Sequence, residues 1–156
     1  MEVEGLEVLT AALGRLRKVA TAPDEILKDM GIVAERRIKR AFGEQKAPEI
    51  VAEVAGGKAK EAAGAAWAPL AEATIRRRRN KDKGSIKVLR DRGTLKGSIA
   101  SIVAGGAVTI GTGLEVGKWH QGGTRNMPAR PFVGINEEDY RTFHEIALRH
   151  LEAACR

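Results

Sequence analysis

Leu6, Leu9, Leu13 and Leu16 recur at spacings of three and four. That spacing puts them on one stripe of a helix and predicts the element over residues 3–19. Arg15, Arg17 and Lys18 fall near its negative end, where cations are favoured. Thr21-Ala22-Pro23-Asp24 reads as a restart, with Thr21 as cap, Asp24 as reciprocal acceptor and Pro23 in the first turn, where a missing donor costs nothing. Ile26, Leu27, Met30, Val33, Ala34, Ile38, Ala41 and Phe42 then keep helical period to about Phe42. Gly31 interrupts that run at a propensity cost of about 1 kcal/mol relative to Ala.

The periodicity fails over residues 44–66. Ala and Glu favour helix there, but Gly56-Gly57 and Gly64 interrupt it, so a broken helix or inserted loop is expected. Trp67 and Leu70 anchor a turn into a helix over 70–79, and 76–84 forms a basic loop at its end. Residues 95–103 fit a short helix or a strand by period alone. Gly105-Gly106 followed by the alternating Ala107-Val108-Thr109-Ile110-Gly111 favours strand, turn, strand, with Val108 and Ile110 on one face. Residues 114–119 read as a connector, Phe132-Val133-Gly134-Ile135 as the last strand, and Asn136-Glu137-Glu138-Asp139 as the capped start of a final helix to about Ala153. The expected fold is α+β: N-terminal helices, a small and mainly antiparallel sheet, and a C-terminal helix, in one domain over 1–156.

Composition narrows the functional classes. A chain of 156 residues with 43% hydrophobic and 30% charged content is that of a globular protein, and no apolar run approaches the ~20 residues of a membrane-spanning helix. Met1-Glu2-Val3-Glu4 is acidic where a secretory signal would be basic, so an unprocessed protein made in the cytoplasm is expected, with no membrane partner. Only 4% of residues are aromatic, too few for the stacking platforms of single-strand binders. The single cysteine, Cys155, excludes an internal disulfide and a thiolate cluster. Net charge is +7, and the window from Arg76 to Lys96 holds ten Lys or Arg against two Asp, a local excess of +8. Such a patch attracts any polyanion, but charge alone reads no base sequence.

No constellation meets the spacing that catalysis or metal binding requires. His144-Glu145 and His150 suggest a zinc helix until Leu148 is found where the second ligand should stand. His120 lies among turn residues, and its side chain is expected to bond local backbone. Gly111-Thr112-Gly113 lacks the third glycine of a dinucleotide loop, and no phosphate-loop signature is present. Glu137, Glu138 and Asp139 are first-turn acids that complement a helix dipole. We therefore expect no catalytic residue, no cofactor and no metal site.

Trp119 to Ile135, WHQGGTRNMPARPFVGI, joins Gly122-Gly123 to Pro128, Arg130, Pro131 and Phe132 as a loop of specified shape feeding a strand, with positive φ expected at either glycine. Together with Trp67-Ala68-Pro69-Leu70, LRDRGTLKGSI from Leu89 to Ile99 and VTIGTG from Val108 to Gly113, the order resembles the phage virion morphogenesis or tail-completion family of Mu-like, contractile-tailed phages and prophages. The resemblance implies a structural, non-enzymatic virion protein of the tail or neck. It would complete the tail or its joint with the head, act as a homo-oligomeric ring, and contact other tail or neck proteins. On that reading Trp67, Trp119, His120, Gly122, Gly123, Pro128, Arg130, Pro131 and Phe132 form the shape-defining element. Arg76, Arg77, Arg78, Arg79, Lys81 and Lys83 form a contact for an acidic neighbour or for packaged DNA. The alternative is a basic module that binds nucleic acid without sequence preference.

Overall fold

Gly31, Ala34, Ile38 and Phe42 stand three and four residues apart, and they form the buried stripe of a 21-residue helix. This is seen in a computed structural model that describes residues 6–51, 62–79 and 86–156. In chain order its elements are α1 (Leu6–Thr21), α2 (Asp24–Glu44), β1 (Ile50–Val51), α3 (Glu72–Arg79), α4 (Thr94–Gly97), β2 (Ala100–Ala104), β3 (Ala107–Gly111), α5 (Glu115–Gly122), β4 (Gly134–Ile135) and α6 (Glu137–Cys155). The class is α+β, and the described strands form two antiparallel pairs, β1 with β4 and β2 with β3. Lys81, Lys83 and the middle of the 44–66 segment lie outside the described residues. Around that gap, Lys46 bridges Ala66 and Ile50 pairs with Ile135, so the ends of the segment are extended and paired rather than helical.

The hairpin forms as its alternation demands. Gly105 and Gly106 take φ of 60° and 73°, the left-handed pair that a two-residue turn needs to match strand twist. Ser101 and Val103 lie opposite Ile110 and Val108 on the face turned to α2, while Ile102 is 67% exposed. Gly31 explains its own propensity cost, because a Cβ there would stand 2.9 Å from Val108 Cγ2 and 3.1 Å from Ser101 Cβ. The glycine is where the hairpin crosses the helix.

Two local expectations are corrected. Thr21 is not a cap for α2; it ends α1, and its hydroxyl donates back to the carbonyls of Arg17 and Lys18 at 2.9 and 3.2 Å. A hydroxyl inside a helix finds the carbonyl one turn behind more readily than a donor ahead, and Pro23 takes the cap position. Residues 115–122 are a helix, α5, rather than a connector followed by a loop. Its glycines argue against helix, but burial overrides propensity: Gly117 is enclosed by Thr112, Phe132 and Leu95. The Thr112 hydroxyl also accepts the Leu114 N–H and so turns the chain into the helix.

α6 begins as expected, with the Asp139 carboxylate accepting the Asn136 N–H at 2.6 Å in a capping box. The same acids also tie the helix to α2, where Arg37 pairs with Glu138 and lies 3.5 Å from Asp139. Farther along, His150 meets Asp29 of α2 at 2.9 Å, and Arg15 of α1 donates to the Ala154 carbonyl. The core lies below, where Ile38, Phe42, Ala47, Trp67, Val88, Leu89, Leu95, Ile99 and Phe132 pack together. Phe42 stands edge-on to Trp67, ring centres 5.6 Å apart, and 5.5 Å from Phe132.

Gly117 supplies a direct test of this packing. Thr112 is held by hydrogen bonds to Ser98 and Leu114 and cannot step aside from a new side chain 2.5 Å away. We expect Gly117→Val to destabilise by about 1–3 kcal/mol in chemical denaturation. Gly14→Ala, on the open face of α1, should instead stabilise by up to about 1 kcal/mol.

Candidate functional site

Trp67, Pro131 and Phe132 are drawn from two distant parts of the sequence and meet at one point. The indole N–H of Trp67 donates to the Pro131 carbonyl at 2.7 Å, in full burial. Two glutamines hold the flanking chain. Gln45 closes α2 in the left-handed conformation at φ 59°, and its side chain accepts the Val88 N–H at 2.6 Å and donates to the Val88 and Phe42 carbonyls. Gln121 does the same from α5, accepting from Phe132 and Val133 and donating to the Val133 carbonyl. Each amide side chain replaces a neighbouring strand for a segment that has none.

Arg130 completes the frame. It is 5% exposed, its Nε and Nη2 donate to the carbonyls of Ala68 and Pro69 at 2.8 and 2.7 Å, and its own N–H meets the His120 carbonyl at 2.7 Å. Gly123 allows this return, taking φ 71° where a Cβ would lie 2.7 Å from the Ala129 nitrogen. The positive φ expected at either glycine thus falls on Gly123, while Gly122 belongs to α5.

Above this frame opens a groove of about 900 Å³ between α3, the turn through residues 89–95, α5 and the loop through 126–130. Its lining is mixed. Leu70, Leu95, Val116, Met127 and Pro128 give an apolar surface, and Arg77, Arg78, Arg92 and Arg130 bring four cations against one acid, Asp91. Leu89, on the same wall, is buried in the left-handed region at φ 56°, a conformation that costs a non-glycine residue about 1–2 kcal/mol. Arg78 is part of the wall's construction, donating to the Lys87 carbonyl at 3.0 Å and lying 3.6 Å from Asp91. Burial, then the charges of Arg130 and Arg78, push the His120 imidazole below its ordinary value of 6.5. Its Nδ1 is buried with no hydrogen-bond partner among the described residues, so the expected bond from this side chain to local backbone is not made at that nitrogen; the His120 carbonyl, not its ring, meets the Arg130 N–H.

The structure thus gathers Arg77, Arg78, His120, Pro128 and Arg130 around one cavity and sets Trp67, Pro131 and Phe132 in the core beneath it. Arg76 and Arg79 are exposed outside the groove, and Trp119 is 47% exposed on α5. Gln45, Gln121, Asp91 and the strained Leu89 carry no local sequence signal, because a glutamine that clamps a distant backbone looks like any surface glutamine. Among the described residues no group of His, Cys, Asp or Glu is arranged to hold a metal, and no helix is long and apolar enough to cross a membrane. Residues 53–152, more than half of the chain and including every residue of the groove, match the phage virion morphogenesis family. No curated protein and no solved structure matches the chain.

Two measurements check this geometry. Gly123→Ala must force a side chain into the Ala129 backbone at positive φ and should destabilise by more than about 1 kcal/mol. Gly122→Ala, within a helix, should cost nothing or stabilise. For His120 the folded value lies below the unfolded one, so the unfolded chain binds the proton first. Stability should therefore fall as pH drops below about 6.5. His120→Gln should flatten that part of a stability–pH profile, while Asp29 and Glu35, lowered from 3.8 and 4.5, act only at more acid pH.

Proposed function

Because the chain belongs to the phage virion morphogenesis family, we propose that it is a structural, non-enzymatic subunit that completes the tail or its junction with the head, working through interfaces with other tail or neck proteins and with copies of itself in a ring. The observation that carries this reading is the use to which the buried cation is put. Arg130, the most deeply enclosed arginine of the groove, is committed to two backbone carbonyls and so fixes shape. A rigid groove beside exposed apolar side chains such as Val116 and Trp119 suits a surface that must be buried by repeated contact. Rings close such heterologous contacts without leaving free ends.

The basic run supports an interface more than DNA recognition. Arg76 to Arg79 fill the last turn of α3, where cations complement the helix dipole, and Arg78 is spent on Lys87 and Asp91. Arg76, Arg77 and Arg79 remain as exposed charges. Non-specific DNA contact is the second reading, resting on the same three side chains and the +8 window.

Deletion of the gene from its phage should leave heads and tails that fail to join or finish, as seen by electron microscopy of lysates. Normal infectious particles would overturn the proposal. Changing Arg76, Arg77 and Arg79 together to Ser should lower folding stability by no more than about 1.5 kcal/mol, about 0.5 for each exposed charge, leaving the protein folded while reducing particle yield. If the second reading holds, the same variant should bind duplex more weakly and uniformly so across sequences, its salt slope flatter by about 0.9 for each phosphate that is no longer neutralised.

A further inference from the structure

The groove combines two kinds of side chain that interface duty alone does not require in one place. Its lining brings the aliphatic side chains of Leu95, Val116 and Met127 together with Arg77 and Arg92, two exposed residues. Behind them Arg130 is enclosed, and among the described residues no carboxylate pairs with it; Arg78 is the neighbouring charge that acts on it, a like one. Cations held together by the fold with a single acid, Asp91, among the residues around them attract an anion from outside.

We propose that this groove docks an extended segment of a partner virion protein in which an aspartate or glutamate stands beside an aliphatic side chain. The carboxylate meets the guanidinium groups of Arg77 and Arg92, whose planar donors suit it, and the aliphatic side chain seats against Leu95, Val116 and Met127. A cavity of about 900 Å³ is of the size that encloses a few side chains. The shape-fixing bonds of Arg130 and Gln121 keep the groove preformed, which lowers the entropy cost of docking. Nucleic acid fits less well. Among the described residues no Phe, Tyr or Trp lines the groove to stack a base, and its aliphatic side chains offer nothing to a phosphate backbone. The proposal rests on the reading of the protein as an assembly subunit and names the chemistry of its partner.

The test uses two charge-matched variants of the full chain. Arg77→Ser with Arg92→Ser removes two exposed charges inside the groove; Arg76→Ser with Arg79→Ser removes two outside it. A bead-displayed library of random short peptides is probed with the labelled protein, and an enriched peptide is then measured by fluorescence anisotropy against both variants, with a short DNA duplex as competitor. The expected result is enrichment of Asp or Glu next to Leu, Ile, Val or Met. The groove pair should lower affinity at least about tenfold and the outer pair less than about threefold, with the duplex competing poorly. Met127→Glu should abolish binding independently, by placing a like charge where the aliphatic side chain sits. Equal losses in the two pairs, no acidic enrichment, or a duplex whose binding disappears only in the groove pair would each overturn the proposal. So would a change in oligomeric state in the groove pair without peptide binding, since the occupant would then be a second copy. If gene deletion blocks assembly but the groove pair assembles normally and no peptide binds, the docking proposal fails and the assembly role stands. If deletion leaves particles normal, the assembly role fails whatever the peptides do.

Discussion

The buried hydrogen bond from the Trp67 indole to the Pro131 carbonyl is the constraint on which the rest of this structure hangs. It joins two segments without regular structure above the ring of Phe42, and burying such segments is costly unless every backbone group finds a partner. The chain meets that demand with side chains. Gln45 satisfies Val88, Gln121 satisfies Phe132 and Val133, and Arg130 satisfies Ala68 and Pro69. Loss of any one partner strands a buried polar group, a penalty of about 1–3 kcal/mol. The aromatic cluster and the polar clamp therefore stand or fall together.

That economy shapes the surface as well. Loops held by side-chain clamps are as fixed as strands but need not be straight, so the segments around Pro69, Leu89 and Pro128 can wall a groove. The left-handed Leu89 sits one residue beyond the backbone that Gln45 grips, and a grip on both polar groups of Val88 is what lets the strained conformation persist. Arg130 lies in the floor of the same groove with Arg78 as its neighbour, and burial together with those charges holds the His120 imidazole neutral more strongly than its ordinary value would. Shape and field are thus set by the same few residues.

The helices serve this frame from the other side. α2 presents Ile38 and Phe42 to the core, Gly31 to the hairpin and Arg37 to the start of α6. One helix thus packs on the hairpin, on β4 and on α6, although it lies outside the stretch that matches the phage virion morphogenesis family. The stretch that matches the family, residues 53–152, takes in the groove, the hairpin, β4 and most of α6, and the core beneath the groove includes two buried side chains, Ile38 and Phe42, from α2 outside it.

Periodicity placed α1, α2 and α6, because in each the side-chain pattern repeats with the period of the backbone, whereas the hairpin also needed the Gly105-Gly106 turn signal, since period alone left residues 95–103 open between helix and strand. The family resemblance set Trp67, Trp119, His120, Gly122, Gly123, Pro128, Arg130, Pro131 and Phe132 in one shape-defining element, and tertiary packing divides all but the two glycines between the buried core, the groove and the exposed face of α5. Neither revealed α5, whose glycines oppose helix until Gly117 is seen to fit under Thr112 and against Phe132. Nor did they separate Gly122 from Gly123, since only the position of the Ala129 backbone decides which of them must turn left-handed. The glutamine clamps and the split of the arginine run into two groove residues, Arg77 and Arg78, and two outside it, Arg76 and Arg79, were likewise invisible. Local pattern records what each residue prefers, whereas a hydrogen bond between residues 43 or 64 apart exists only once the fold has brought them together.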